Sequence, residues 1–215
     1  NMADYQIRRC ERQLEGGIHP EIHKGLSTTD SCVFVDDPKR LVFPIHFSGG
    51  GPGEALVTVG DTVSQGTPII KCQSGITHVA SRAGTVIDIT DHSIMHPAAA
   101  KSASIIIEPN GLEDQNYLDP LVQPFGADTL RHRAIEAGIL GLGGAGFPSF
   151  KKWSDGTQTL IINGAECEPF LTADDTLMRT DTNSMIRGAC MLSQSLDIKT
   201  IIIGIEDNKP EALEA

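Results

Sequence analysis

The feature that most constrains this fold is a change of rhythm partway along the chain. Between Ser31 and Glu108 the apolar residues come in six short pieces: Val33–Val35, Leu41–Phe43, Leu56–Val59, Pro68–Ile70, Thr85–Ile89 and Ser104–Ile107. Turn signals separate them at Gly60-Asp61, Gly66-Thr67-Pro68, Ser74-Gly75 and Ala83-Gly84. Many short strands punctuated this way predict a small barrel or sandwich over residues 31–108. Residues 109–125 carry three prolines and no periodicity, and they read as a linker. Beyond them the spacing becomes helical. Asp128 to Ala137 places Leu130, Ala134 and Ala137 on one face, with Gly138 as the stop.

From residue 126 the chain reads as the start of an α/β domain. Thr159–Ile162 and Thr200–Ile205 are apolar runs of the buried-strand kind. Between them, Met185, Ile186, Ala189, Leu192 and Leu196 fall at helical spacing within Thr182–Leu196. Strand, helix, strand at this length predicts a parallel crossover unit. The final EDNKPEALEA falls where a further helix would begin, so the expectation is a truncated second domain. Residues 1–30 are polar and loop-like and read as an N-terminal extension. His19 and His23 lie four apart there, but Pro20 and the flanking glycines favour a loop over a helical metal site.

Composition narrows the function classes. Seventeen Lys+Arg against 28 Asp+Glu give a net charge of −11, which repels phosphate backbones and argues against nucleic-acid binding. No apolar run reaches the roughly 20 residues that span a bilayer. The first residues lack the apolar core of a signal peptide. The five scattered cysteines form no C-x-x-C, as expected of a reduced, cytoplasmic chain without its own zinc or iron–sulfur site.

Two segments carry chemistry. Gly141-Leu142-Gly143-Gly144-Ala145-Gly146-Phe147-Pro148 spells G-x-G-x-x-G, but it follows a predicted helix where the dinucleotide fingerprint needs a strand. What remains is physical capability: a glycine-dense backbone can approach a flat ring or a phosphate, and Lys152 can add a point charge. The plain alternative is a tight turn where two helices pass. The second segment, Asn163-Gly164-Ala165-Glu166-Cys167-Glu168-Pro169, directly follows a predicted parallel strand, at the end where open α/β sheets bind ligands. Asn163 suits an imide edge, while Glu166 and Glu168 suit ribose or carboxamide groups. Cys167 lies between two carboxylates that disfavour its thiolate, so it is a poor nucleophile. The plain alternative here is a solvated acidic loop.

Within the barrel, VTVGDTVSQG (57–66) and SRAGTV (81–86) resemble a biotinyl/lipoyl-type barrel-sandwich unit. The hairpin Gln73–Ser81, where carrier domains present their modified lysine, has none; Lys71 lies before it. A structural barrel is therefore expected rather than a swinging arm. Together, GLGGAGFPSFKKW, NGAECEPFLTADDTLMR and the early GGIHPEIHK resemble the RnfC family of Rnf-type electron transport complexes, which is related to the flavin-binding NADH-oxidising subunit of respiratory complex I.

The resemblance covers nearly the whole chain and implies a barrel-sandwich domain followed by a Rossmann-like domain holding FMN and NAD(H). Two [4Fe–4S] clusters would lie in a later part of the family's chain. By position, Gly141, Gly143, Gly144 and Lys152, with Ala145 and Gly146 in the same loop, fall where the family cradles FMN. Asn163 and Glu166 fall at the flavin and its ribityl chain, and Phe147 and Glu168 at NADH. Leu142 and Ala165 stand where complex I has an arginine and an aspartate. The resemblance further implies membrane subunits and ferredoxin as partners, ion translocation, and a peripheral position on the cytoplasmic face of the inner membrane. A related cobalamin reductase, or a docking module without a cofactor, are the alternatives; the acidic TADDTLMR continuation favours the Rnf branch.

Overall fold

The computed structural model describes residues 6–10, 18, 20–28, 33, 35–46, 51–94, 98, 100–142 and 146–215. His19, Cys32, Phe34, Gly143, Gly144 and Ala145 lie outside the described residues.

The first half folds as two small antiparallel sheets. One runs in the order β1 (Leu41–Pro44), β7 (Lys101–Pro109), β6 (Gly84–Ser93), β3 (Thr62–Val63). The other pairs β2 (Gly53–Ala55), β4 (Pro68–Cys72) and β5 (Thr77–Val79) in the order β2-β4-β5. Register explains the core. Leu41 and Val86 both oppose Ile107, and Phe43 and Ile89 both oppose Ile105, so one face of three strands lines up in two apolar rows. A bulge between Val86 and Asp88 keeps Ile89 in line with those rows. Ile69, Ile70, Ile76, Ile105, Ile107 and Val86 close the interior and are essentially inaccessible to solvent. Each such side chain contributes about 1.5–3 kcal/mol.

Four predicted strands hold: those at 41–43, 68–70, 85–89 and 104–107. Two do not. Val33 and Val35 are exposed and outside any strand. The apolar run Leu56–Val59 is also not a strand; the strand precedes it at Gly53–Ala55. Backbone pairing with β4 (Gly53 opposite Cys72, Ala55 opposite Ile70) sets its position against side-chain propensity. Residues 109–125, expected to be a linker, are tied to the barrel. The Gln65 amide donates to Asp114 O, the Asn116 amide donates to Gln65 O, and Ser64 Oγ donates to the Asp114 carboxylate.

The second half opens with α1 (Ala127–Glu136), whose Leu130 and Ala134 are buried as the spacing predicts. Gly138 stops it in a left-handed conformation, φ +64°. A Cβ at Gly138 would come within 3.0 Å of the Thr77 carbonyl oxygen on β5, so the helix end abuts the barrel. Leu140 and Phe150 continue that junction by packing against the barrel core.

Then follow β8 (Thr159–Asn163), α2 (Ala173–Thr180), α3 (Thr182–Ser195), β9 (Thr200–Gly204) and α4 (Pro210–Glu214). β8 and β9 pair in parallel from Thr159 opposite Thr200 to Asn163 opposite Gly204, the expected crossover. They are not fully buried as expected: Ile161 and Ile202, directly opposite each other, are 66% and 48% exposed on one sheet face. Among the described residues no helix is long and apolar enough to cross a membrane.

Candidate functional site

The glycine run is a closed loop springing from the barrel junction. Leu140 and Pro148 form an antiparallel bridge, the Gly141 amide donates to Phe147 O at 2.8 Å, and the Ser149 amide donates to Ile139 O at 3.2 Å. These bonds fix the neck of the loop; Gly143, Gly144 and Ala145 lie outside the described residues. Gly146 returns through φ +58°, a left-handed conformation. A single 3-10 turn at Ser149–Lys152 then brings the Lys152 ammonium to 5.8 Å from the centre of the Phe147 ring. Phe147 is 45% exposed and Leu142 almost fully so. The loop thus offers solvent an apolar ring with a cation beside it.

The second loop leaves the carboxyl end of β8. Asn163 is exposed and folds back on its own turn, its Oδ1 accepting the Ala165 amide at 3.2 Å. Gly164 is buried, and a Cβ there would strike Met178 Sδ and crowd Gly204 O. Cys167 and Glu168 are exposed.

Glu166 is the exception to the picture of a solvated acidic loop, with a side chain only 1% exposed. Its carboxylate caps α2, accepting the amides of Asp174 at 2.7 Å and Asp175 at 3.3 Å. Oε2 also accepts Lys209 Nζ at 2.7 Å. Lys209 reaches the Gly164 carbonyl at 3.3 Å and the Glu206 carboxylate at 3.1 Å. Glu206 in turn accepts the Glu166 amide at 3.2 Å and the ammonium of Lys24 at 3.2 Å. Lys24 also donates to the Glu166 carbonyl.

Two ammonium groups and two carboxylates therefore form a charge-balanced cluster at the ends of both parallel strands. Burial opposes ionisation of Glu166, but Lys209 and the two helix amides outweigh it and hold the carboxyl below its ordinary range. Glu206 is held low in the same way, against its burial, by Lys209, the Glu166 amide and Lys24. Burial likewise opposes the charge on Lys209, and its two carboxylate partners raise it above the usual lysine value.

The structure thus brings Phe147 together with Lys152, and Glu166 together with three residues that sequence reasoning did not single out as site residues: Lys24, Glu206 and Lys209. Lys24 belongs to the GGIHPEIHK motif, which was the available signal. Nothing marked Glu206 or Lys209, because acidic and basic residues near a chain end ordinarily read as surface.

Two family models match separate stretches of the chain. A family model described as the RnfC barrel sandwich hybrid domain matches residues 12–112, and one described as the Nuo51 FMN-binding domain matches residues 135–215. A barrel-sandwich hybrid joined to an FMN-binding domain is the class of protein defined here. Over nearly its whole length the chain is similar to RnfC proteins. It is 43% identical over 210 residues to the C subunit of the ion-translocating oxidoreductase complex of Pectobacterium atrosepticum, covering 94% of this chain and 30% of that protein. It is 39% identical over 207 residues to the protein of the same name from Vibrio cholerae, covering 93% and 27%. For the one from Citrobacter koseri the identity is 38% over 208 residues, covering 93% and 29%. The chain spans less than a third of the length of these curated relatives.

Proposed function

We propose that this chain is the FMN-receiving part of an electron-transport subunit. In that subunit the Gly141–Lys152 and Asn163–Glu168 loops hold the flavin, and NAD(H) approaches over Phe147 and Glu168. The observation that carries the reading is that both loops lie inside the matched FMN-binding region, the second of them at the carboxyl end of a parallel strand pair. The residues suit the ligand. Phe147 supplies an exposed apolar ring, Lys152 a cation for phosphate, and Asn163 an exposed amide for a polar ring edge. Gly141 and Gly146, at the described ends of the glycine run, carry no side chain to block close backbone approach. When bound, the flavin supplies the exchange between two-electron and one-electron chemistry.

The chain's own residues bind and orient. Lys152 balances negative charge, Asn163 and Glu168 set polar contacts, and the buried Glu166 holds the loop's shape through α2 and Lys209. The domain is Rossmann-like in this reading. In this reading the complete subunit would also carry two [4Fe–4S] clusters, supplying one-electron chemistry, with ferredoxin and membrane subunits as partners at the cytoplasmic face of the inner membrane. The relatives' shared name, which places them in an ion-translocating oxidoreductase complex, supports this over a cobalamin reductase.

The test uses a protein of the relatives' full length, scored for flavin content and NADH oxidation with a soluble acceptor. Bound FMN is expected, and Gly144→Val abolishes it, since a β-branched side chain adds bulk and restricts a backbone that glycine leaves free. The 215-residue chain alone binds FMN more weakly than the full-length protein, since ligand sites usually bury most of the ligand and much of its apolar surface. A full-length protein that stays colourless after incubation with FMN overturns the proposal.

A further inference from the structure

Residues 20–28 precede the barrel strands, and the barrel match begins before them, yet in space they lie on the loop of the other unit. The Phe170 amide donates to Ile22 O at 2.9 Å, and Ser27 Oγ donates to Phe170 O at 2.6 Å. Thr172 Oγ1 donates to Ser27 O at 3.2 Å. The His23 ring stacks on Phe170 with centroids 5.1 Å apart and planes 16° from parallel. Between these ties a single 3-10 turn, Lys24–Leu26, drops the Lys24 side chain inward until it is 9% exposed. Its ammonium grips the Glu166 carbonyl and the Glu206 carboxylate.

We infer that the 20–28 segment is a strap over the Asn163–Glu168 loop and that Lys24 is a positioning residue of the flavin site, an inference that rests on the flavin reading above. Two physical consequences separate this from general packing. The Glu166 carbonyl is fixed by Lys24, so the peptide joining Glu166 to the exposed Cys167 and Glu168 has its orientation set by a residue more than 140 positions earlier. Lys24 also supplies one of the two positive charges that balance Glu166 and Glu206. Removing it leaves a buried negative excess at the loop, and removing the charge on Glu206 leaves a positive one. A flavin held by that loop senses the two changes with opposite sign, because negative charge nearby disfavours adding electrons and positive charge favours it.

The experiment takes the full-length protein as wild type, Lys24→Met, Glu206→Gln and the double variant, and measures FMN affinity, flavin midpoint potential and melting temperature. Lys24→Met is expected to weaken FMN binding about tenfold, the size of a lost charge-assisted hydrogen bond, and to move the potential negative. Glu206→Gln moves the potential positive, and the double variant returns it toward wild type. Both single variants melt earlier, so a purely structural role predicts changes of one sign only. Ser27→Ala loosens the strap without altering charge; it is expected to cost roughly threefold in affinity and to leave the potential in place. This variant keeps the test open if Lys24→Met does not fold. Wild-type FMN affinity and potential in Lys24→Met, or in Ser27→Ala wild-type affinity where Lys24→Met is lost, overturns the inference alone. A wild-type protein that takes up no flavin overturns the flavin reading and the inference with it.

Discussion

Lys209→Met removes the ammonium at the centre of the buried cluster while keeping an apolar stem of similar length. Lys209 is 3% exposed at its side chain and Glu166 1%, so water cannot replace the lost charge. Breaking one side of a buried ion pair costs about 3–5 kcal/mol, most of it the stranded partner. The structure argues for the lower end. Glu166 keeps its two α2 amides, and Glu206 keeps Lys24 and the Glu166 amide. About 3 kcal/mol at neutral pH is therefore expected, a shift of roughly 1–2 M in the urea midpoint, read by far-ultraviolet circular dichroism.

The pH dependence gives a second check. Glu166 and Glu206 have carboxyl groups held below their unfolded range, so their stabilisation is present above about pH 4.3 and is lost as pH falls through the lower folded values. In the variant Glu166 takes up its proton at a higher pH than in wild type, which relieves the stranded charge. The gap between the two proteins is thus full at pH 7 and narrows below about pH 4–5. On the alkaline side Lys209 is raised, so its contribution is present below about pH 10.4 and fades as pH rises through its folded value. A gap below about 1 kcal/mol at pH 7, or one of the same size at pH 4, refutes the reasoning.

Three further outcomes are expected. Gly138→Ala costs about 1–2 kcal/mol for the left-handed backbone and more for displacing Thr77, whereas Gly111→Ala, at φ +70° with nothing within 4 Å, carries the backbone cost alone; equal melting temperatures for the two would argue against a tight helix–barrel junction. Ile70→Ala in the barrel core loses about 2–5 kcal/mol while Ile161→Ala on the open face of β8 stays within about 0.5 kcal/mol, as denaturant titration of both variants would register. Burial pushes the His78 imidazole below its ordinary pKa, so its contribution to stability is present above about pH 6.5 and declines as pH falls further; a proton NMR titration placing His78 at or above that value would contradict this.

Much of the barrel was legible because its core obeys a local rule. The short apolar runs Thr85–Ile89 and Ser104–Ile107 and the turn residues at Gly60, Gly66 and Gly75 each act within a few residues. β3 and β5, two and three residues long, were missed because nothing so short carries a period. The helix Ala173–Thr180 was missed for a different reason: its start is secured by Glu166, a side chain several positions upstream, rather than by a residue at the cap.

The two loops show where sequence stops and tertiary structure begins. Glycine density and the order Asn163, Glu166, Glu168 are covalent facts, and they made both loops candidates for ligand contact beside the plainer readings of a tight turn and a solvated acidic loop. The sequence alone also set the acidic surface and the change from strand to helical rhythm, since both follow from composition and spacing. Which carboxylate faces inward is decided elsewhere. Glu166 and Glu168 are two residues apart and chemically the same, yet one is buried and the other exposed. Only the fold brings Lys24, Glu206 and Lys209 to the first of them. A buried charge is tolerable only where partners converge in three dimensions to replace its water, and partners that far apart along the chain leave no mark in local sequence.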